Sequence, residues 1–271
     1  MVKINMSTQY DKWFELADLN LAAVIKSRMQ TIPGAKFFEQ DGQVAFSIGR
    51  QALDGHLNGM FRYNHGISTE NTIDFCNHFL QLLGFGFIIW IRDHADSKLE
   101  ILLQHSGLAP LRKPGSAGMI IESPLALPEM PVSLQIVKVS TKEDVADFNS
   151  VIAAAFGISL EISELAIGQF DQLTKSNVAA FVIREQNQPT AAGMAVLEQG
   201  IAGIYYIGTI PQARGRGLGD LCTRIATNAG FDLGARAVIL QASSSGEPLY
   251  QRLGFKTITH YRWYPFTAPI T

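Results

Sequence analysis

At 271 residues, the chain is long enough for one large domain or two of medium size. Hydrophobic residues make up 47% of it and charged residues 17%, which provides for a packed core and excludes an intrinsically disordered chain. Proteins with a general nucleic-acid-binding role are basic, so a formal net charge of -2 argues against that class and against a nucleic-acid partner.

Neither a metal site nor a membrane segment is predicted. Cys76 and Cys222 lie on the apolar sides of helix-like segments, where cysteine behaves as a small buried hydrophobe. The six histidines are scattered without the spacing of metal ligands. The longest apolar run, 79–91, is too short to cross a bilayer. Because the amino terminus lacks a secretory signal, we expect a cytoplasmic protein without membrane contact.

The first half of the chain begins with a predicted helix over Gln9–Gln30 and three short strands over 36–39, 43–49 and 59–63. A second helix is predicted to begin after Ser68 and to end at Gly84, because serine and glycine are typical of those two helix ends. A buried strand over 85–91 and a helix over 98–105 follow. The proline- and glycine-rich stretch 108–121 predicts at best a broken pair of strands.

Three prolines between Ser123 and Pro131 mark a linker. We therefore predict two domains, 1–125 and 126–271.

The second domain is predicted to open with a strand and then a helix that begins at Ser140 and Thr141, where an acid follows three residues later, and reaches Phe156. The remaining predicted elements, in chain order, are a helix over 163–173, strands over 178–185, 190–197 and 204–209, a helix from 218, a strand over 237–241, a short helix over 247–253 and a strand over 255–266. The same order of strand, helix, buried strand, short helix and strand occurs in the first half. This indicates an internal duplication of one α/β unit at a period of roughly 140 residues.

The stretch Ile204–Gly219 contains an apolar strand, a proline, three alternating glycines and the start of a helix. The helix carries one apolar face, formed by Leu221, Cys222, Ile225, Ala226 and Ala229. A glycine-rich turn at a helix start presents unpaired N–H groups at the positive end of the helix dipole. The sequence therefore predicts a phosphate-binding site here.

Two well-known glycine-loop chemistries fit this stretch poorly. A P-loop requires Lys-Ser/Thr at the helix start, but Asp220 and Leu221 follow Gly219. The dinucleotide fingerprint requires a different glycine interval and an acid at the end of the next strand, which here ends Gln241-Ala242-Ser243.

A third chemistry fits better. The run Gln212-Ala213-Arg214-Gly215-Arg216-Gly217, continued by Leu218-Gly219, resembles the glycine-rich motif of the GCN5-related N-acetyltransferase (GNAT) family. The segment Gly246–Phe255, with Leu249-Tyr250 and Leu253-Gly254-Phe255, is similar to a second signature of that family. The resemblance covers 132–266. The first half resembles a degenerate copy, as in tandem GNAT proteins, with His65-Gly66-Ile67-Ser68-Thr69 in place of the glycine loop, so no cofactor site is assigned to it.

The resemblance implies an α/β (α+β) fold with two GNAT-like domains, each a mixed, mostly antiparallel twisted sheet flanked by helices. It also implies acetyl-CoA as cosubstrate. The N–H groups from Ala213 to Gly219 would hold the pyrophosphate, and the strand end would hold the pantetheine arm and the acetyl carbonyl. The implied cofactor-binding residues are Ile207, Gly208, Thr209, Gln212, Ala213, Arg214, Gly215, Arg216, Gly217, Leu218, Gly219, Ser243 and Gly246.

Tyr250 matches the family tyrosine that protonates the departing CoA thiolate, and it is the implied catalytic residue. Many relatives carry a glutamate on the strand before the loop as the base, but that strand has no carboxylate here. Glu198 could substitute, or Tyr205 or Tyr206 could line a water path. Five aromatic residues could line the acceptor pocket or simply pack in the core: Phe156, Phe170, Tyr205, Trp263 and Tyr264.

Two functions remain open. The first is an acetyl-CoA-dependent N-acetyltransferase that transfers an acetyl group directly to a primary amine of a small molecule or a protein, with the first half walling the acceptor pocket. The second is a non-catalytic acyl-CoA-binding module whose first half contacts a partner. Either could be a monomer, as a pseudo-dimer of halves, or a homodimer.

Overall fold

A computed structural model describes residues 7–64 and 66–270 of the chain. Its contacts divide the chain into two compact units. The first consists of the residues up to 119 together with 241–247 and 257 onward, and the second consists of 120–240 and 248–256. The predicted domains are continuous segments, whereas each unit contains segments from both of them, so the predicted boundary after residue 125 stays a prediction.

The first unit is a mixed sheet with helices. Its helices are α1 (Ser7–Met29), α2 (Thr69–Leu83) and α3 (Ser97–His105). Its strands are β1 (Lys36–Gln40), β2 (Gln43–Ser47), β3 (Asn58–Arg62), β4 (Phe87–Arg92), β5 (Ser116–Ile121) and the last strand of the chain, β11 (Lys256–Phe266). The strand order is β1-β2-β3-β4-β11-β5, with β3 and β4 parallel and β1/β2, β2/β3 and β4/β11 antiparallel.

The core of the first unit lies between this sheet and helices α2 and α3. Twelve fully or nearly fully buried residues form it: Ala45, Met60, Ile73, Cys76, Phe79, Phe87, Ile89, Ile91, Leu99, Leu103, Tyr264 and Phe266. Two of them come from β11, so the last strand of the chain supplies part of the first core. The predicted strand pair over 108–121 is wrong: a single strand, β5, forms after the prolines.

The second unit contains a four-stranded antiparallel meander followed by one parallel strand. Its strands are β6 (Leu134–Lys138), β7 (Val178–Glu185), β8 (Gln188–Glu198), β9 (Ile201–Thr209) and β10 (Val238–Ala242), in the order β10-β9-β8-β7-β6. Its helices are α4 (Lys142–Phe156), α5 (Leu160–Ala166), α6 (Phe170–Leu173), α7 (Leu218–Asp232) and α8 (Glu247–Arg252), of which α8 begins at the unit boundary.

Local sequence signals explain the ends of several elements. Ser68 accepts a hydrogen bond from the N–H of Asn71 at the start of α2, and Gly84 ends that helix in the left-handed conformation, as predicted. Thr141 and Asp144 form the capping box of α4. The two-residue turn Gln186-Asn187 has positive φ angles, which is typical of tight hairpins.

The helix predicted over 163–173 is wrong, because the chain breaks into α5 and α6 at Gly168. The side chain of Asn149 on α4 donates to the carbonyl of Gly168 and lies so close that a Cβ there would be 2.0 Å from its Oδ1. Helix α7 also packs closely on the sheet near its C-terminal end, since a Cβ at Gly230 would lie 2.8 Å from the Cβ of Ala202 on β9.

No single helix within residues 7–64 and 66–270 is long and apolar enough to cross a membrane. Helices α4 and α5, with a bend of 120° between them, are together long and apolar enough by length and composition alone.

Candidate functional site

The start of α7 is open and glycine-lined. Gly215 has a φ of 76° and Gly217, the N-cap residue, a φ of 79°, a left-handed conformation that other residues rarely adopt. A Cβ at either position would have no other atom within 4 Å. These glycines are therefore required by the backbone conformation, and they leave free space in front of the helix.

Six successive backbone N–H groups, from Gly215 to Asp220, have no acceptor in the part of the chain that the structure describes. The N–H groups of Ala213 and Arg214 are already used, because they donate to the carbonyls of Ile210 (3.0 Å) and Pro211 (3.3 Å). The predicted group of donors from Ala213 to Gly219 is thus shifted towards the helix. Unpaired donors at a helix start lie at its positive end and attract an anion.

The first arginine of the loop has an internal role. The Arg214 guanidinium donates to the carbonyl of Thr209 (3.3 Å), where β9 ends, and to that of Ala155 (2.8 Å), in the last turn of α4. It therefore ties β9 to α4, and charge balance with a phosphate is not its only explanation.

The second arginine is paired as well. Arg216 forms a bidentate ion pair with Glu185, at the end of β7, with an Nη1–Oε2 distance of 2.9 Å. The pair raises the pKa of Arg216 and lowers that of Glu185. Both side chains are solvent-accessible, so the pair is of the weakly stabilising surface kind. Sequence reasoning missed Glu185, because no local pattern connects it to residue 216.

The remaining loop residues divide by burial. Ala213 and Leu218 are buried and anchor the turn and the helix, so their contribution to binding is through the main chain. Gln212 is exposed in the 3₁₀ turn Pro211–Ala213 and can donate from its side-chain amide.

Strand β9 carries a β-bulge directly before the loop. Tyr205 lies opposite Met194 and Gly208 opposite Ala192, so Tyr206 and Ile207 together face the single residue Gly193. Tyr206 has a φ of 54°, which is unusual for a tyrosine. The register pairs between β9 and β10 end at Gly203–Ile239 within the described chain, so the second half of β9 continues beyond its pairing with β10.

Gly208 has a packing explanation. A Cβ there would lie 2.9 Å from the Cβ of Ala155 and 3.3 Å from Cε2 of Phe156. Glycine at this position therefore lets the end of α4 approach β9, and close approach by a ligand is not needed to account for it.

The two motifs meet at Gly219. The position of a Cβ on Gly219 is 3.7 Å from Cδ2 of Leu249 on α8 and 4.0 Å from Oγ1 of Thr209 at the end of β9. Helix α8 thus packs beside the open start of α7. The next residue, Tyr250, makes an edge-to-face ring contact with Phe255. Burial raises the pKa of its phenol to about 12.

Ser243 and Gly246 belong to the segment 241–247, which counts with the first unit. The Ser243 hydroxyl accepts from the N–H of Gly246 (3.2 Å), and its carbonyl accepts from that of Glu247 (2.9 Å). Both residues therefore shape the turn that leads into α8. Their contact with a cofactor stays a prediction.

The suggestion that Glu198 acts as the base is wrong. Glu198 pairs with Ile201 at the opposite end of β9, and at about 3.3 Å per residue it lies roughly 16 Å from Tyr206. Tyr205 and Tyr206 do lie at the bulge. Burial is the main cause of the raised pKa of Tyr205, so this phenol stays neutral at physiological pH.

The predicted aromatic group is divided between the two units. Phe156 packs edge-on against Tyr206 in the second unit. Trp263 and Tyr264 belong to the first unit, where the ring of Trp263 lies against Trp90 with their planes at 46° and the Tyr264 hydroxyl donates to Glu100. Among the described residues, no three His, Cys, Asp or Glu side chains are grouped as metal ligands, and Cys76 and Cys222 are buried.

Comparison with known proteins assigns one segment of the chain to a family model. Residues 146–255 match the family model described as the acetyltransferase (GNAT) family. That range contains the open start of α7, the bulged strand β9 and α8. Residues 146–255 are a GNAT domain.

Solved structures extend the likeness beyond the GNAT domain. A GCN5-related N-acetyltransferase from Kribbella flavida has a TM-score of 0.67 and 16% identity, covering 90% of this chain and 94% of its own. A tandem GNAT protein from the clavulanic acid biosynthesis pathway has a TM-score of 0.63 and 12% identity, covering 98% and 97%. A GCN5-related N-acetyltransferase from Sphaerobacter thermophilus has a TM-score of 0.59 and 15% identity, covering 84% and 82%. None of the curated proteins matches the chain.

At these identities the likeness concerns the fold, and it confirms the predicted tandem GNAT-like fold over nearly the whole chain. GNAT proteins use acetyl-CoA as a cosubstrate, and the open donors at residues 215–220 suit the phosphates of such a molecule. In the degenerate first-half loop, His65 lies outside the described residues, and Ser68 caps its own helix.

Proposed function

We propose that this protein is an N-acetyltransferase that transfers the acetyl group of acetyl-CoA directly to a primary amine of a small molecule or a protein. The observation that carries the proposal is the open start of α7, with six unpaired N–H groups next to a bulged strand. A structural helix end is normally capped by its own side chains, and this one has no side-chain cap.

Three parts of the GNAT domain would hold acetyl-CoA. The N–H groups of residues 215–220 would bind the pyrophosphate. The main chain of Ile207, Gly208 and Thr209, beyond the last pair with β10, would bind the pantetheine arm and the acetyl carbonyl. Gln212, Ser243 and Gly246 are the further contacts proposed from the family resemblance.

Acetyl-CoA supplies a thioester. The amine nitrogen forms a bond to the thioester carbonyl carbon, the carbon–sulfur bond breaks, and the products are an amide and the free CoA thiol. The nitrogen gives up one proton and the departing thiolate takes up one. We assign the protonation of the thiolate to Tyr250. Its hydroxyl can donate a proton to the sulfur and regain one from the amine by way of water.

The second candidate is the acyl-CoA-binding module without catalysis. It is favoured by one observation: the strand that approaches the site, Ile201–Thr209, contains no carboxylate to act as a base. If the protein is a transferase, the missing carboxylate means that the amine must reach the bulge already neutral or lose its proton to water held there by Tyr206.

The experiment has two steps. Acetyl-CoA should raise the melting temperature, because a ligand that binds only the folded state stabilises it. Free thiol should then appear when a panel of primary amines is added. The absence of any shift at millimolar acetyl-CoA would overturn both candidates, and a shift without turnover on the whole panel would favour the binding module.

Tyr250→Phe tests the assigned acid. We expect kcat to fall by about a hundredfold while the acetyl-CoA-dependent melting shift is unchanged. Because the phenol pKa is about 12, the acid form persists through pH 10, so kcat in the wild type should not decline between pH 8 and pH 10. An unchanged kcat in the variant would remove Tyr250 from this role.

A further inference from the structure

An exposed aromatic pair lies beside the bulge of β9. Phe156, the last residue of α4, is 53% exposed, which is unusual for a side chain of this size at the end of a core helix. Its ring meets that of Tyr206 edge-to-face, with centroids 6.5 Å apart and planes at 89°. The pair thus presents aromatic surface to solvent next to Ile207 and Gly208, where the acetyl carbonyl is proposed to bind.

The backbone brings the two residues together. Tyr206 is held at a φ of 54° by the bulge, a conformation found mostly where the surrounding structure imposes it. On the other side, the absence of a Cβ at Gly208 lets Phe156 approach to van der Waals distance. Arg214 donates to the carbonyl of Ala155 and holds the last turn of α4. The two rings thus stand side by side on a backbone that is held in place.

The wall formed by these two rings is itself apolar, whereas the Arg214 guanidinium contacts its backbone at Ala155 and two exposed acids, Glu161 and Glu164, follow on α5. The last turn of α4, Ala153–Phe156, and the strand stretch 204–210 contain no acidic residue. Acids on α4 lie in its first half, where Asp144 and Asp147 are paired with Arg184. A second large exposed hydrophobic residue, Leu160, begins α5 directly after the turn. A polycationic acceptor would require carboxylates, whereas an apolar or aromatic group requires the surface that is present.

We propose that Phe156 and Tyr206 form the acceptor wall and that the acceptor is a small primary amine carried on an aromatic or other apolar group. The proposal rests on the proposed acetyltransferase function and names its substrate class. The ring of such a molecule would pack on Phe156 and Tyr206, and its nitrogen would point along β9 towards Ile207.

The test compares matched amines. Wild-type protein saturated with acetyl-CoA is assayed for thiol release with 2-phenylethylamine, ethanolamine, spermidine and a lysine peptide. We expect kcat/KM for 2-phenylethylamine to exceed that for ethanolamine by at least about tenfold. Phe156→Ala should raise KM for 2-phenylethylamine by about tenfold and leave KM for ethanolamine within twofold, whereas Phe156→Tyr should restore the wild-type value.

Ile136→Ala is the control, because Ile136 is also a large exposed hydrophobic residue, at 36%, but lies on β6, three strands away from β9. It should leave both values unchanged. Acetyl-CoA-dependent stabilisation, measured on every variant, separates the two proposals. If it is present but spermidine or the lysine peptide is preferred, or if Phe156→Ala affects all amines equally, the apolar acceptor is overturned and the acetyltransferase is not. If acetyl-CoA binds and no amine reacts or binds by calorimetry, the acceptor wall is also overturned. If acetyl-CoA does not bind, the proposed function itself fails.

Discussion

The two units contain the same strand–helix–strand element, but the N-terminal ends of its two helices are bonded differently. In the first unit, β3, the 15-residue helix α2 and β4 form a parallel pair joined by a helix. In the second, β9, the 15-residue helix α7 and β10 do the same. Only the helix starts differ in kind. Two similar backbones can therefore present either a closed or an open helix end, depending on a few residues before the first turn.

At the start of α2 a side-chain cap and a buried arginine bond to the turn from within the protein. Ser68 accepts from the N–H of Asn71 at 3.1 Å. Arg62 is buried beneath this turn, and its guanidinium donates to the carbonyl of Ile67 (3.1 Å) and to the hydroxyl of Thr72 (3.3 Å). A cation from the protein itself thus occupies the helix start of the first unit, where α7 has glycines and unpaired N–H groups.

Arg62→Leu should have the largest effect, because it removes the arginine that bonds to the start of α2. The Arg62 Nε lies 3.4 Å from Oδ1 of buried Asp96, so its removal leaves a buried carboxylate with Arg92 as its remaining partner. We expect a loss of about 3 kcal/mol in the free energy of unfolding, measured by urea titration. Arg112→Leu, an exposed residue of the same unit, should cost less than about 0.5 kcal/mol.

The acetyl-CoA affinity of folded Arg62→Leu should equal that of the wild type. An altered affinity would show that acetyl-CoA binding depends on the start of α2.

Gly217→Val should close the open side. Valine at a φ of 79° is strained, and its side chain would enter the free space in front of α7. We expect acetyl-CoA affinity, measured by calorimetry, to fall by at least about tenfold.

The matched control is Gly84→Val, because Gly84 ends α2 at a φ of 74° with equally open surroundings. Both variants should lose about 1–2 kcal/mol of stability from backbone strain. Only Gly217→Val should lose affinity, and equal affinity in the two variants would contradict the assignment of the loop.

Glu185→Gln should have the smallest effect, and it tests whether the ion pair reduces the attraction of Arg216 for phosphate. Without its partner, the exposed Arg216 is free to attract a phosphate, so acetyl-CoA affinity at low salt should rise by about two- to threefold. The gain should disappear at 1 M salt, where charges are screened over about 3 Å. Weaker binding would mean that the ion pair positions the loop instead.

Features with a local cause were predictable from the sequence. The caps Ser68 and Gly84 and the strand–glycine–helix order around Gly215 follow from short patterns. The tandem fold followed as well, since both halves repeat one order of elements.

Features that depend on distant residues were not predictable. Gly168 breaks a helix because Asn149 approaches it from α4. Arg214 and Arg216 are paired with Ala155 and Glu185, which are far away in sequence. No periodicity within a single segment reports on such contacts. The ion pair with Glu185 offsets the charge of Arg216, and the contact with Ala155 fixes the side chain of Arg214.

The central claim is that one of the two helix starts binds acetyl-CoA. Calorimetric titration of the wild-type chain with acetyl-CoA tests it most directly. The account predicts one molecule bound per chain, with this site weakened by Gly217→Val and not by Gly84→Val. Two molecules per chain, or a single site that Gly217→Val leaves intact, would contradict it.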